Sequence, residues 1–117
     1  MPRPCKRRCV ESLPGVIDFK PRGIPMHALQ EVYLAFDGYE ALRLSDLEGL
    51  DQAAAAERMG VSRQTFGRIL GAARRTVTRA IVEGMALRVE GGNVRLADAP
   101  EPELETEQTI QGRRSPK

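Results

Sequence analysis

Phe66, Ile69, Leu70, Ala73, Val77, Ala80 and Ile81 fall at helical spacing, which predicts one long helix with a single buried stripe. At about 100° per residue, Gln64, Arg68, Arg75 and Arg79 project from nearly the opposite side. A second helix is expected just before it. Asp51 can accept the free amide hydrogens of a first turn, and Ala53 to Ala56 after it have the highest helix propensity. Gly60 ends that helix, with Arg58 suited to the negative end of its dipole. Val61 then turns inward and Ser62 caps the long helix. Two helices joined by so short a glycine-containing connection predict a helix-turn-helix.

That arrangement makes double-stranded DNA the leading expected partner. In the docking of such motifs the first turns of the second helix enter the major groove, so Arg63, Gln64, Thr65 and Arg68 are the candidate base contacts. Ser62, Arg75 and Arg79 are candidate phosphate contacts. Gly67 and Gly71 would let a DNA backbone come close, while weakening the helix by roughly 1 kcal/mol each relative to alanine. The competing reading is a solvated charged helix face.

Elsewhere the pattern predicts smaller elements. Leu13 to Pro25 reads as an extended segment between turns. Leu29, Val32, Tyr33 and Phe36 suggest a short helix after Pro25, with a strand as the alternative. Asp37-Gly38-Tyr39-Glu40 fits a capping box opening a helix to about Leu47. Leu42, Leu44, Leu47 and Leu50 would cover the helix-turn-helix, and Arg43 would pair with nearby acids. Leu87 to Leu96, around Gly91-Gly92, predicts a β-hairpin with Val89 opposite Val94 and Arg88 opposite Arg95. Two opposed arginines repel; the hairpin is read either as a basic wing, with Arg88 and Arg95 on phosphates, or as an accessory hairpin on the core.

Composition and charge narrow the picture. A chain of 117 residues makes one small domain. With three Phe, two Tyr and no Trp, the core must be built of aliphatic residues, and a homodimer is expected as a source of added stability. The net charge of +2 is small but unevenly distributed. Six basic residues oppose Glu11 and Asp18 from Met1 to Arg22; seven arginines oppose Glu83 from Arg58 to Arg88; six acids oppose Arg43 from Phe36 to Glu57. The cationic parts would face DNA and the acidic helix would face away. Within the basic opening, Arg7 and Arg8 are further candidate phosphate contacts, the alternative being a solubilising terminus. From Asp98 the Pro/Glu-rich tail predicts disorder.

No apolar run approaches the ~18 residues of a membrane span, and no apolar stretch follows the basic start as in a signal peptide. A cytoplasmic protein is expected, with its two cysteines reduced. Cys5 and Cys9 have C-x3-C spacing and His27 is the single histidine; three ligands fall one short of a structural zinc site. They remain weak metal or redox-sensing candidates, and no metal or cofactor is expected. An enzyme is not expected either: no phosphate-binding glycine motif and no nucleophile with an evident base stand out, and no small-molecule substrate is indicated.

The stretches Glu40-Ala41-Leu42-Arg43-Leu44 and Ala55 to Arg63, with Ile69, resemble the promoter-reading region four of bacterial sigma factors. More closely, Arg3 to Gly92 resembles a small prokaryotic family of predicted DNA-binding proteins, uncharacterised family two-five-one of the UPF series. The matching pieces are R-P-C-K-R-R, F-K-P-R-G-I-P, E-A-L-R-L-S-D-L-E-G-L, A-A-E-R-M-G-V-S-R-Q-T-F-G-R-I-L, A-R and E-G-G, covering roughly three quarters of the chain. The resemblance implies a sigma-like DNA-binding fold. The expectation is therefore a mainly α helix-turn-helix bundle with a short C-terminal hairpin and a disordered tail. A basic arm and extended segment would occupy residues 1–24, the DNA-binding domain 25–97 and the tail 98–117. Its function would be sequence-specific DNA binding as a transcriptional regulator, the alternatives being a protein-interaction module or a metal- or redox-sensing regulator.

Overall fold

The computed structural model describes residues 7–96. The two central helices form where their caps place them. Helix α2 (Gln52–Met59) starts with Asp51 Oδ1 accepting from Ala54 N at 2.8 Å. It ends at Gly60, whose φ of 70° is the left-handed conformation that glycine adopts at least steric cost. The Gly60 and Val61 amides donate back to the last turn, satisfying carbonyls the helix itself leaves open. Ser62 Oγ then accepts from Thr65 N at 3.1 Å and opens α3 (Arg63–Glu83). At 21 residues this helix is about 31 Å long, and Gly84 closes it as Gly60 closes α2.

Helix α2, the helix Phe36–Leu42 and the strands Glu31–Leu34 and Ala86–Val89 pack against α3. Its first half supplies Phe66 and Leu70 to a cluster with Ala41, Leu44, Ala55, Ala56 and Met59. Small alanines at that crossing let the helices approach closely. Its second half supplies Ala73, with Val77 beside it, to a different cluster containing Leu34 and Val89. Those last two residues come from strands.

The expected mainly α helix-turn-helix bundle is thereby corrected to a mixed α/β fold, with three helices and five strands in two sheets among the described residues. β4 (Ala86–Val89) is the central strand of three, running parallel to β3 (Glu31–Leu34) and antiparallel to β2 (Asp18–Phe19). A second, two-stranded sheet pairs β1 (Arg8–Val10) in parallel with β5 (Val94–Leu96). One end of α3 rests on helices and the other on a sheet.

The expected hairpin is also absent, because β4 and β5 pair with different strands. Arg88 stands opposite Asp18 and Tyr33, and Arg95 opposite Cys9. Gly91 and Gly92 serve another purpose. Gly91 O accepts from Phe36 N at 2.9 Å, filling an amide left open at the first turn of α1 (Phe36–Leu42). Gly92 has φ 104°, and a Cβ there would lie 3.1 Å from Ala35 Cβ and 3.2 Å from Phe36 N. The doublet lets the chain cross closely over a helix start.

Three further expectations change. The stretch after Pro25 forms one 3-10 turn (Met26–Ala28) and then strand β3, the alternative left open by its β-branched and aromatic residues. No capping box forms at Asp37: the N-cap is Ala35, without a side-chain bond, and Glu40 turns inward. After Leu42 the helix widens into a π-turn (Arg43–Leu47), with Glu48 N bonding Arg43 O at 2.9 Å. A wider turn shifts the face that later residues occupy, so Leu44 is buried while Leu47 is 79% exposed.

The segment read as a basic arm and extended piece contributes β1 and β2, and Val10 is buried. Within the described residues it is woven into both sheets. The tail at 98–117 lies outside them.

Candidate nucleic-acid interface

The packing of α3 decides which of its sides is free. With Phe66, Leu70, Ala73 and Ala80 buried, Gln64, Arg68, Arg75 and Arg79 fall on the opposite side and are exposed. Arg63 is exposed beside them, and Thr65 is half-buried within the cap. Among the described residues, no carboxylate stands within ion-pairing distance of Arg63, Arg68 or Arg75. Ile81, assigned to the buried stripe by spacing, is 76% exposed. Near that end Val77 still packs on the sheet cluster, while Ile81 borders an open hollow beside Phe19 and Leu87.

Other candidate phosphate contacts occupy different surroundings. Arg79 Nε bonds Glu83 Oε1 at 3.1 Å, and Arg88 lies 3.7 Å from Asp18 and 3.2 Å from Glu90. Arg8 Nε is buried and faces Asp37 Oδ2 at 3.8 Å, too far for a hydrogen bond. Arg7 is half-buried ahead of β1, and Arg95 sits in β5. The structure thus gathers Gln64, Arg68, Arg75 and Arg79 on one face, with Arg79 held by Glu83, sets Ser62 and Arg63 at the start of the helix off that face, and disperses the remainder. Arg74 forks onto Asp46 at 2.7 and 3.0 Å, joining the π-turn to mid-α3. This hydrogen bond holds the Asp46 carboxyl below its usual range.

Cys9 lies in β1, half-buried, its sulfur near Gly60, and His27 lies in the 3-10 turn. Cys5 is outside the described residues. Among those described, no group of three or more His, Cys, Asp or Glu is placed to hold a metal ion.

Sequence patterning missed the cluster that steadies α2 and its turn. Glu40 is fully buried in α1 and accepts from Arg43 through both carboxylate oxygens, at 3.0 and 2.9 Å, and from the Glu11 amide at 3.0 Å. Arg43 also reaches Glu11 at 2.5 Å and pairs with Glu48. Arg58, at the end of α2, joins both acids, lying 3.0 Å from Glu11 and 3.4 Å from Glu48. First the Glu40 hydrogen bond and then the one to Glu11 raise the Arg43 pKa, against partial desolvation. Arg43 thus pairs with acids, as expected from its neighbours. That Glu11, 29 residues before Glu40, closes the cluster is a tertiary fact with no local signal.

The family described as "Protein of unknown function DUF134" matches residues 1–97. The chain belongs to this family. A UPF0251 protein of Thermoanaerobacter pseudethanolicus is 56% identical over 98 residues, 84% of this chain and 83% of the relative. One of Desulfosudis oleivorans is 55% identical over 93 residues, 80% of this chain and 67% of its own. Another, of Rhodospirillum rubrum, is 54% identical over 94 residues, 80% and 66% respectively. The chain therefore spans about two thirds of the length of the latter two. No solved structure matches it. Several pieces that carried the family resemblance acquire structural duties. Glu40 and Arg43 form the buried pair, Gly60 and Ser62 cap the helices, and Gly91-Gly92 crosses α1.

No helix is long and apolar enough to cross a membrane among the described residues.

Proposed function

We propose that the protein binds double-stranded DNA through the helix-turn-helix of α2 and α3 and acts as a sequence-specific transcriptional regulator. One observation carries the reading: Gln64, Arg68 and Arg75 share an exposed face on a helix whose other side is anchored in the core. Arginine and glutamine read base edges by paired hydrogen bonds. Arg63, Gln64, Thr65 and Arg68 lie in the first two turns, the part that meets bases in this docking. Arg75 would neutralise a phosphate farther along.

The test is a mobility shift on genomic fragments at two salt concentrations, followed by enrichment of the bound sequences. Released counterions make affinity fall steeply with salt. Salt-independent behaviour with no enriched sequence would eliminate this function.

A protein-interaction reading is favoured by a separate observation. Phe19, Val77, Ala80, Met85 and Leu87 line an apolar hollow of about 590 Å³, and exposed Ile81 stands at its edge. Projection and hollow on one patch are self-complementary under a two-fold axis, so a second copy of the chain is the proposed occupant. Sedimentation should give a dimer that Ile81→Asp dissociates; a monomer at all concentrations rejects it.

A further inference from the structure

We propose that the trough between β3 and α3 seats one sugar-phosphate strand of the duplex, an inference resting on the DNA-binding reading above. Two hollows, of about 350 and 790 Å³, are both lined by Ala72 and Thr76 and so join along the helix. Val32 and Tyr33 of β3 form one wall, and α3 forms the other from Arg68 to Glu83. Tyr33 is 52% exposed, and its hydroxyl donates to Glu31 at 2.6 Å. Its phenolic pKa is raised by that bond and by the charge of Glu31.

Charge selects the occupant. Arg68 and Arg75 border the trough without an ion-pair partner among the described residues. The lining carboxylates are Asp37, which faces Arg8, and Glu83, which faces Arg79. Between those two ends the charged lining is Arg68, Arg74, Arg75 and Arg79, of which Arg74 is held by Asp46 and Arg79 by Glu83, so Arg68 and Arg75 carry its free positive charge. Gly71 and exposed Ala72 keep it open, and a Cβ on Gly71 would meet nothing within 4 Å. Arg68 to Arg79 covers about 16 Å at the helical rise, long enough for more than one phosphate of a strand to lie along it. A trough open along its length suits a polymer rather than a free anion.

Ala72 offers the test, since its exposed helical position accepts long side chains. Ala72→Glu and Ala72→Lys should move affinity for a 20-base-pair duplex at low salt in opposite directions, at least tenfold apart. Ala72→Gln should bind like the native protein. The same charge swap at exposed Leu13, in the loop after β1, should move affinity less than twofold. Thermal melting checks that all variants fold, and poly-glutamate serves as a second polyanion. If the Ala72 and Leu13 pairs respond alike while native affinity still falls steeply with salt, the trough assignment is overturned and the DNA reading stands. If the native protein binds no duplex at low salt, both fall. A tenfold Ala72 effect on poly-glutamate with none on DNA would assign the trough to an acidic protein and overturn the proposal.

Discussion

Glu40 in the last turn of α1 and Arg43 at the start of the π-turn meet through both carboxylate oxygens of a fully buried glutamate. Glu11 and Glu48 complete the cage around Arg43 and pass the connection to Arg58 at the end of α2. The cluster therefore joins β1, α1, the π-turn and the helix that precedes the proposed reading head. Removing the Glu40 charge takes away the one fully buried partner and leaves half-buried Arg43 to the exposed Glu11 and Glu48. Glu40→Gln should cost about 3 kcal/mol of unfolding free energy, measured in urea. A loss below about 1 kcal/mol would show that Glu11 and Glu48 suffice to hold Arg43.

Ser62 Oγ carries the entry of α3, accepting from the Thr65 amide at 3.1 Å and donating to Thr65 Oγ1 at 3.1 Å. Ser62→Ala should destabilise by ~1 kcal/mol, and Ser62→Asp should retain most of the stability. Thermal unfolding of the three proteins decides it, and equal melting temperatures would deny the cap a role.

Two glycines should respond to alanine in opposite ways. At Gly92, φ 104° and a projected Cβ 3.1 Å from Ala35 make alanine strained and crowded; a loss of roughly 1–3 kcal/mol is expected. At Gly71 the helix is regular and a Cβ meets open space, so alanine should gain about 0.5–1 kcal/mol. Denaturant midpoints of both variants give the signs directly. A stabilising Gly92→Ala would contradict the crossing geometry.

Acid should act through Asp46. Its folded pKa lies below the ordinary carboxylate value because Arg74 bonds the charged form, so the folded state binds a proton less readily than the unfolded chain. The contribution is present above the unfolded value of ~3.9 and is lost as pH falls through the lowered folded value. Both partners are exposed, so the effect is modest and screened by salt. Asp46→Asn should show a shallower loss of melting temperature between about pH 5 and pH 2 than the native protein. Identical pH profiles would remove Arg74–Asp46 from the account.

On DNA, Gln64→Ala and Arg68→Ala should erode discrimination between sequences by ~1–3 kcal/mol. Arg75→Ala should instead weaken all sequences alike and reduce the salt slope by about one. Quantitative binding to matched and mismatched duplexes separates the two classes. If all three variants behave alike, base reading does not reside in Gln64 and Arg68.

What the sequence alone determined is local. Asp51, Gly60 and Ser62 act within a few residues of their own backbone, so the limits of α2 and the start of α3 were legible, as was the outward side holding Gln64, Arg68 and Arg75. What only tertiary structure decided is pairing across distance. Residues 87–96 alternate just as a hairpin would, yet β4 pairs with β2 and β3 and β5 with β1, because strand partners far apart in the chain leave no trace in local periodicity. The same reason hid Glu11 from Glu40, left Ile81 exposed beside an open hollow, and set Tyr33 beside the arginine face of α3.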